Sequence, residues 1–186
     1  MGTSGILSLD KPEMAWKNER GFSLIELLIV VAIILIIVAI AIPNLLQARI
    51  AANESSAANT IRQIASGQIN YNFAYPAIGY AVTLTDLGGP SPCPAPTPAA
   101  SCMLDNSIAN AIPGSSGKQG YQFQTTGIAA SGLNTTFVVG GTPLAPNLTG
   151  NRNFCAATDG AIHILIGGGG PPVTTNAACQ AYPIAP

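Results

Sequence analysis

"RGFSLIELLIVVAIILIIVAIAIP", residues 20–43, is an apolar run that holds a single carboxylate, Glu26, close to its start. From Phe22 to Ile42, at ~1.5 Å rise per residue, the run makes a helix of about 32 Å, enough to cross a hydrocarbon core about 30 Å thick. Residues 1–21 ahead of it are polar and mixed in charge, with Lys11, Lys17 and Arg20 marking the cytoplasmic side. Ala39-Ile40-Ala41 offers a signal-peptidase cut at the far end, which would discard the helix and release a secreted module. The run is longer than a signal core of ~7 to 15 residues, carries an internal acid, and is followed at once by more helical pattern. Those features favour a retained membrane span.

Past Pro43, residues 44–75 place Leu46, Ile50, Ala57, Ile61, Ile64 and Ile69 near helical intervals, one apolar stripe on a polar helix. Pro43 is expected to kink the helix rather than end it. Pro76 and the aromatics Tyr71, Phe73 and Tyr75 mark its exit, and the aromatics read as packing where helix meets head. The expected organisation is a segment 1–21, a helix 22–75 (22–42 in the membrane, 43–75 amphipathic), and a loop-rich head 76–186.

The head is rich in turn formers. Most of the 20 glycines and 15 prolines lie after Phe73, so short strands are expected there rather than more helices. Tyr80–Leu84 reads as a short strand. Tyr121–Thr125 alternates apolar and polar, Thr136–Val139 is β-rich, and Phe154–Ile166 forms a hairpin turning at Asp159-Gly160. Three or four antiparallel strands result. Ile162, Ile164 and Ile166 share one face and, with Tyr121 and Phe123, should cover the stripe of the helix, while His163 points the other way as a packing or surface residue. The fold class is α+β, a long N-terminal helix on a small antiparallel sheet.

Charge and chemistry exclude several functions. Charged residues are 8% of the chain and the net charge is -1, so no basic footprint for nucleic acid exists and none is expected as a partner. No nucleophile with a base, paired carboxylates or phosphate loop can be assembled, so no catalytic residue, cofactor or metal is expected. Gly167–Gly170 lacks the Lys-Ser/Thr ending of a phosphate cradle. Asn134-Thr-Thr and Asn147-Leu-Thr match a glycosylation triplet that is common by chance. Cys93, Cys102, Cys155 and Cys179 lack metal-knuckle spacing and read as disulfides, which puts the head in an oxidising compartment. Of three possible connectivities, Cys93–Cys102 with Cys155–Cys179 makes the shortest loops.

Gly21-Phe22-Ser23-Leu24-Ile25-Glu26-Leu27-Leu28-Ile29-Val30-Val31-Ala32 resembles the N-terminal signature of the type IV pilins and the pseudopilins of type II secretion. The resemblance implies leader cleavage between Gly21 and Phe22 by a prepilin peptidase, N-methylation of Phe22 and retention of the helix. It implies a filament built with copies of the chain and other pilins, from an inner-membrane assembly platform driven by partner ATPases. Membrane lipid is the other expected partner, and the head should lie outside the cytoplasm. The leader is longer than the family's commonest form, and the helix lacks the glycine that many pilins carry before the proline. Arg152-Asn153-Phe154-Cys155 with Asp159-Gly160 also resembles the last hairpin of some pilin heads.

Glu26 then has two readings. Ser23-Leu24-Ile25-Glu26 has the S-x-x-E form of a capping box. An ionised acid in a membrane helix costs several kcal/mol, on the order of 2.5 to 3.5 at midplane and less near an edge, more than the ~1 kcal/mol of a cap. The resemblance supplies a partner, the cationic amine of Phe22 on a neighbouring subunit, which would make Glu26 a register mark in assembly.

Overall fold

The computed structural model describes residues 21–184; most of the expected leader, including Lys11, Lys17 and Arg20, lies outside the described residues. By compactness the chain divides into two units, Met1–Ala41 and Ile42–Pro186. One helix, α1 (Leu24–Ala74), passes from the first into the second and continues through Pro43. Proline has no N–H to give the carbonyl four residues back, so the helix runs on there with one bond fewer.

In the first unit every described side chain of α1 is exposed, and nearly all are Leu, Ile, Val or Ala. A helix apolar on all sides suits a surround that is itself apolar, and this one is long enough to cross a membrane.

The second unit is built on a four-stranded antiparallel meander. Its strands are β1 (Tyr121–Ala130), β2 (Leu133–Pro143), β3 (Arg152–Ala157) and β4 (Ile162–Ile166), in the order β1-β2-β3-β4. A 3-10 turn (Thr85–Leu87) and α2 (Asn106–Ala109) punctuate the segment between α1 and the sheet, and α3 (Asn176–Gln180) follows it. The register pairs Phe123 with Gly141, Gly141 with Phe154 and Phe154 with Ile164, which sets one sheet face against α1. Ala57, Ile61, Ile64 and Tyr71 of α1 join Tyr121, Phe123, Phe137, Val139 and Phe154 in one core, with Ile162 and Ile164 packed at its margin.

The opposite sheet face is covered too. Val138, Cys155 and Cys179 are buried together under Val173 and Tyr182 of the C-terminal segment. Burial on both sides explains why Phe137–Pro143 has no polar alternation: all seven residues are inside. Two adjacent glycines permit this. A Cβ on Gly141 would come 2.9 Å from the Phe123 ring, and one on Gly140 would come 2.7 Å from the Val173 nitrogen.

Four local expectations are corrected. Phe73 is 81% exposed while Tyr71 is buried, because a residue two positions along a helix faces the far side. Ile69 is likewise exposed; Gln68 takes its place on the inner stripe. Tyr80–Leu84 is not a strand, since Ala81 is bound by both ends of the Gln68 amide rather than by a neighbouring strand. Ile166 shares the inner face yet is exposed, because β4 extends beyond the core there.

Candidate processing and assembly site

Gly21, Phe22 and Ser23 precede the first helical residue and are exposed, so the Gly21–Phe22 bond lies in non-helical, open backbone. Nothing lies within 4 Å of a Cβ built on Gly21. A peptidase needs its scissile bond extended and accessible, and three residues further on this chain is closed into helix.

The helix start is fixed by the Ser23 and Glu26 pair. The Ser23 N–H donates to Glu26 Oε2 at 3.0 Å, and the Leu27 N–H donates to the Ser23 carbonyl at 3.2 Å. The first bond is the returning arm of a capping box, in which the third helical residue satisfies the backbone donor at the cap. Only one carboxylate oxygen is used. An ionised carboxylate accepts about four hydrogen bonds, so Oε1 can still receive a charged donor from outside the chain.

The four cysteines form two bonds. Cys93 and Cys102 are joined across a proline-rich loop whose Pro98 carbonyl accepts from Tyr71 Oη at 2.9 Å. Cys155 and Cys179 are joined at full burial and pin the C-terminal segment to β3. On the same face, His163 is buried. Its Nδ1 donates to the Tyr182 carbonyl at 2.8 Å, and its Nε2 lies 3.4 Å from Asp159 Oδ2. One ring nitrogen thus holds the C-terminal segment, and the other faces the turn between β3 and β4. Among the described residues no cluster of three metal-ligating side chains occurs. The Asn134 amide donates to the Tyr80 carbonyl at 2.8 Å, whereas Asn147 is exposed on the β2–β3 turn.

Three polar contacts, two made by α1 and one within the sheet, escape reading from sequence. Gln68 is fully buried, with Nε2 3.0 Å from the Ala81 carbonyl and 2.8 Å from Thr125 Oγ1, and with Oε1 accepting from the Ala81 N–H. Glu54 accepts from the Asn151 N–H at 2.7 Å and lies 3.5 Å from Arg152 Nε. Tyr121 Oη donates to the Arg152 carbonyl at 2.9 Å, and burial, with the Glu54 charge adding to it, raises the phenol well above its ordinary value. The only sequence signal for these was a polar residue on an apolar stripe.

A membrane-length helix opening on a capped Ser-x-x-Glu turn, joined to a disulfide-bonded sheet unit, defines a membrane-anchored α+β subunit. Residues 16–42 match the family model of the prokaryotic N-terminal methylation motif. The chain is also similar to the type IV wide pilus major component PilA4 of Thermus thermophilus. The two are 62% identical over 39 residues, 21% of this chain and 30% of that protein. The chain therefore matches less than a third of that relative's length, and no solved structure matches it. The N-terminal segment of this chain is thus similar to that of the type IV pilins.

Proposed function

We propose that this chain is a structural subunit of a type IV pilus, held in the inner membrane by α1 with its head outside the cytoplasm. In this reading residues 1–21 are a leader, residues 22–75 the helix and residues 76–186 the head. Prepilin peptidase cuts after Gly21, Phe22 becomes N-methyl-phenylalanine, and Glu26 pairs with the Phe22 amine of a neighbour as the subunit leaves the bilayer. The apolar helices then pack against copies of themselves, and partner ATPases supply the energy.

The observation that carries the proposal is the 62% identity to the major component of a wide pilus, with the methylation motif at 16–42. It favours the pilus over the type II secretion pseudopilus. Intact-mass and N-terminal analysis of membrane and sheared-filament fractions tests it, with N-methyl-phenylalanine at Phe22 expected in both. A mature chain starting at Ile42 would mean that the helix is discarded, and would end the reading.

A further inference from the structure

The two disulfides differ in access. Cys155 and Cys179 are fully buried beneath the C-terminal segment, whereas Cys93 is exposed and Cys102 only partly buried. Cys93 and Cys102 line an open cleft of about 310 Å³ together with Pro90, Met103, Asp105 and Asn106. On its other side Cys102 backs onto Gly89, where a Cβ would collide with its sulfur. A reagent entering the cleft therefore meets Cys93 Sγ first.

What the exposed bond holds is equally local. Residues 90–96 are all exposed, and their backbone makes no hydrogen bond to any other part of the described chain. Both flanks are tied without the sulfurs. The Gly89 N–H donates to Asn106 Oδ1 at 3.2 Å, while Thr97 and Ala100 exchange two backbone bonds and the Pro98 carbonyl accepts from Tyr71 Oη. Cys102 sits in left-handed backbone with φ 56°, which a residue other than glycine keeps only where its surroundings fix it. Three bonds do so: Ser101 N–H to the Asp86 carbonyl at 2.9 Å, and Cys102 and Leu104 N–H to the Gly88 and Leu87 carbonyls, each at 2.8 Å. Opening the disulfide would thus release residues 90–96 and leave the Cys102 thiol in place for reclosure.

We propose that Cys93–Cys102 is a thiol–disulfide exchange site for a protein dithiol, a reversible clasp on the proline-rich loop that opens while Cys155–Cys179 stays closed. One thiolate of the dithiol attacks Cys93 Sγ, the S–S bond breaks, and Cys102 leaves as a thiolate that takes a proton from water. The second thiolate of the dithiol then attacks the mixed disulfide and releases Cys93, which is protonated in turn. The dithiol is oxidised to a disulfide as the cysteine pair is reduced, a transfer of two electrons. Asp105 lines the same cleft, and its charge slows an approaching thiolate at low salt without closing the site. The inference stands on the head alone and needs neither the membrane span nor the filament.

Selective reduction of the full chain tests it. The chain in detergent micelles, at neutral pH and without denaturant, is treated with thioredoxin held reduced by its reductase and NADPH, and separately with dithiothreitol. Free thiols are trapped with iodoacetamide and located by peptide mass. With either reductant Cys93 and Cys102 should be alkylated at least about tenfold faster than Cys155 and Cys179, since access sets the rate of exchange. Hydrogen-exchange protection of the Cys102 and Leu104 amides should survive reduction, and in an untrapped sample the bond should re-form when oxidised glutathione replaces the reductant. Reduction of both disulfides at one rate, or resistance of Cys93–Cys102 in the absence of denaturant, overturns the proposal. Reduction by dithiothreitol but not by thioredoxin would show a cleft closed to a protein partner, and overturns it too. Loss of protection at Cys102 and Leu104, or failure of the bond to re-form, would make the disulfide part of the frame rather than a clasp and end the inference.

Discussion

Within α1, Leu24–Ile42 and Ala57–Tyr71 are both helix and both rich in aliphatic side chains, yet the first leaves every large one exposed and the second buries Ile61 and Ile64 completely. An apolar helix facing lipid needs no preferred side, so composition alone describes it. A helix facing a sheet must match one surface, and there Ala57, Gln68 and Tyr71 share the stripe with isoleucine because each fits or bonds a particular neighbour. Substitutions in the first stretch should therefore act on where the subunit goes, and those in the second on whether its head stays folded.

The largest effect is expected at Glu26. Under the proposed charge pairing, Glu26→Val leaves insertion intact or improved, because the costliest group in the span is gone, but filaments are lost. Glu26→Gln separates the two roles. Its amide oxygen can still accept from the Ser23 N–H, as Oε2 does at 3.0 Å, but cannot neutralise a neighbour's amine. The ratio of sheared filament to processed, membrane-retained subunit measures this. Normal piliation of Glu26→Gln would reduce Glu26 to a cap.

In the head the largest loss should come from Cys155→Ser with Cys179→Ser. The bond closes a sequence separation of 24 residues and holds α3 over the outer sheet face, and the chain-entropy relation gives roughly 3 kcal/mol for such a loop. Denaturant unfolding of the detergent-solubilised subunit checks it, and helicity of the membrane span should not change. An unaltered midpoint would mean that the buried contacts of Val138, Val173 and Tyr182 suffice without the bond.

Residue chemistry explains which parts were legible in the sequence. The apolar helix and the Ser-x-x-Glu cap at its start form a continuous local pattern, and local patterns survive without knowledge of tertiary neighbours. Strands β1, β3 and β4 were marked by alternation or by a turn at Asp159-Gly160. The outer cover of the sheet was not foreseen, because Val173, Cys179 and Tyr182 are scattered among Gly, Pro and Ala and gain meaning only against Val138 and Cys155. Tyr80–Leu84 looked like a strand for the complementary reason. Ala81 and Leu84 are buried, but the backbone bonds of Ala81 are met by a glutamine 13 positions away.

That glutamine provides a smaller test. Gln68→Ala strips partners from the Ala81 N–H and carbonyl and from one side of Thr125 Oγ1 in a site closed to water. A buried group left unsatisfied costs about 1 to 3 kcal/mol, so a loss of roughly 2 kcal/mol is expected in the head. Gln68→Glu should also destabilise it, since one carboxylate oxygen would face the Ala81 carbonyl. Hydrogen exchange at Ala81 should rise in both variants, while amides of the lipid-facing stretch stay unchanged. Unchanged exchange at Ala81 would show that Gln68 fills space without setting register.

The smallest effect at neutral pH, and the one with a distinctive pH signature, belongs to Tyr121. Its hydroxyl donates to the Arg152 carbonyl, and burial first, then the Glu54 charge, raises its pKa in the folded head. A raised folded value means that the native state keeps the proton where the unfolded chain, with a tyrosine pKa of about 10, releases it. The resulting stability is fully present below pH of about 10 and is lost as pH rises through the folded value. Tyr71 of α1 shifts the same way, through burial and the nearby Asp86 charge, so among the described residues a second such group lies where α1 packs on the sheet. Tyr121→Phe should cost about 1 kcal/mol at pH 7, where only a hydrogen bond is removed, and should flatten but not abolish the fall in stability above pH of about 10. Unfolding followed between neutral and strongly alkaline pH, in parent and variant, gives both numbers. All four cysteines are already paired, so thiolate chemistry does not supply a competing slope at the start of the titration. A variant that falls as steeply as its parent would assign the alkaline transition to Tyr71 and leave Tyr121 as a packing residue. A flattened curve would locate the alkaline weak point where α1, through Glu54, meets the start of β3.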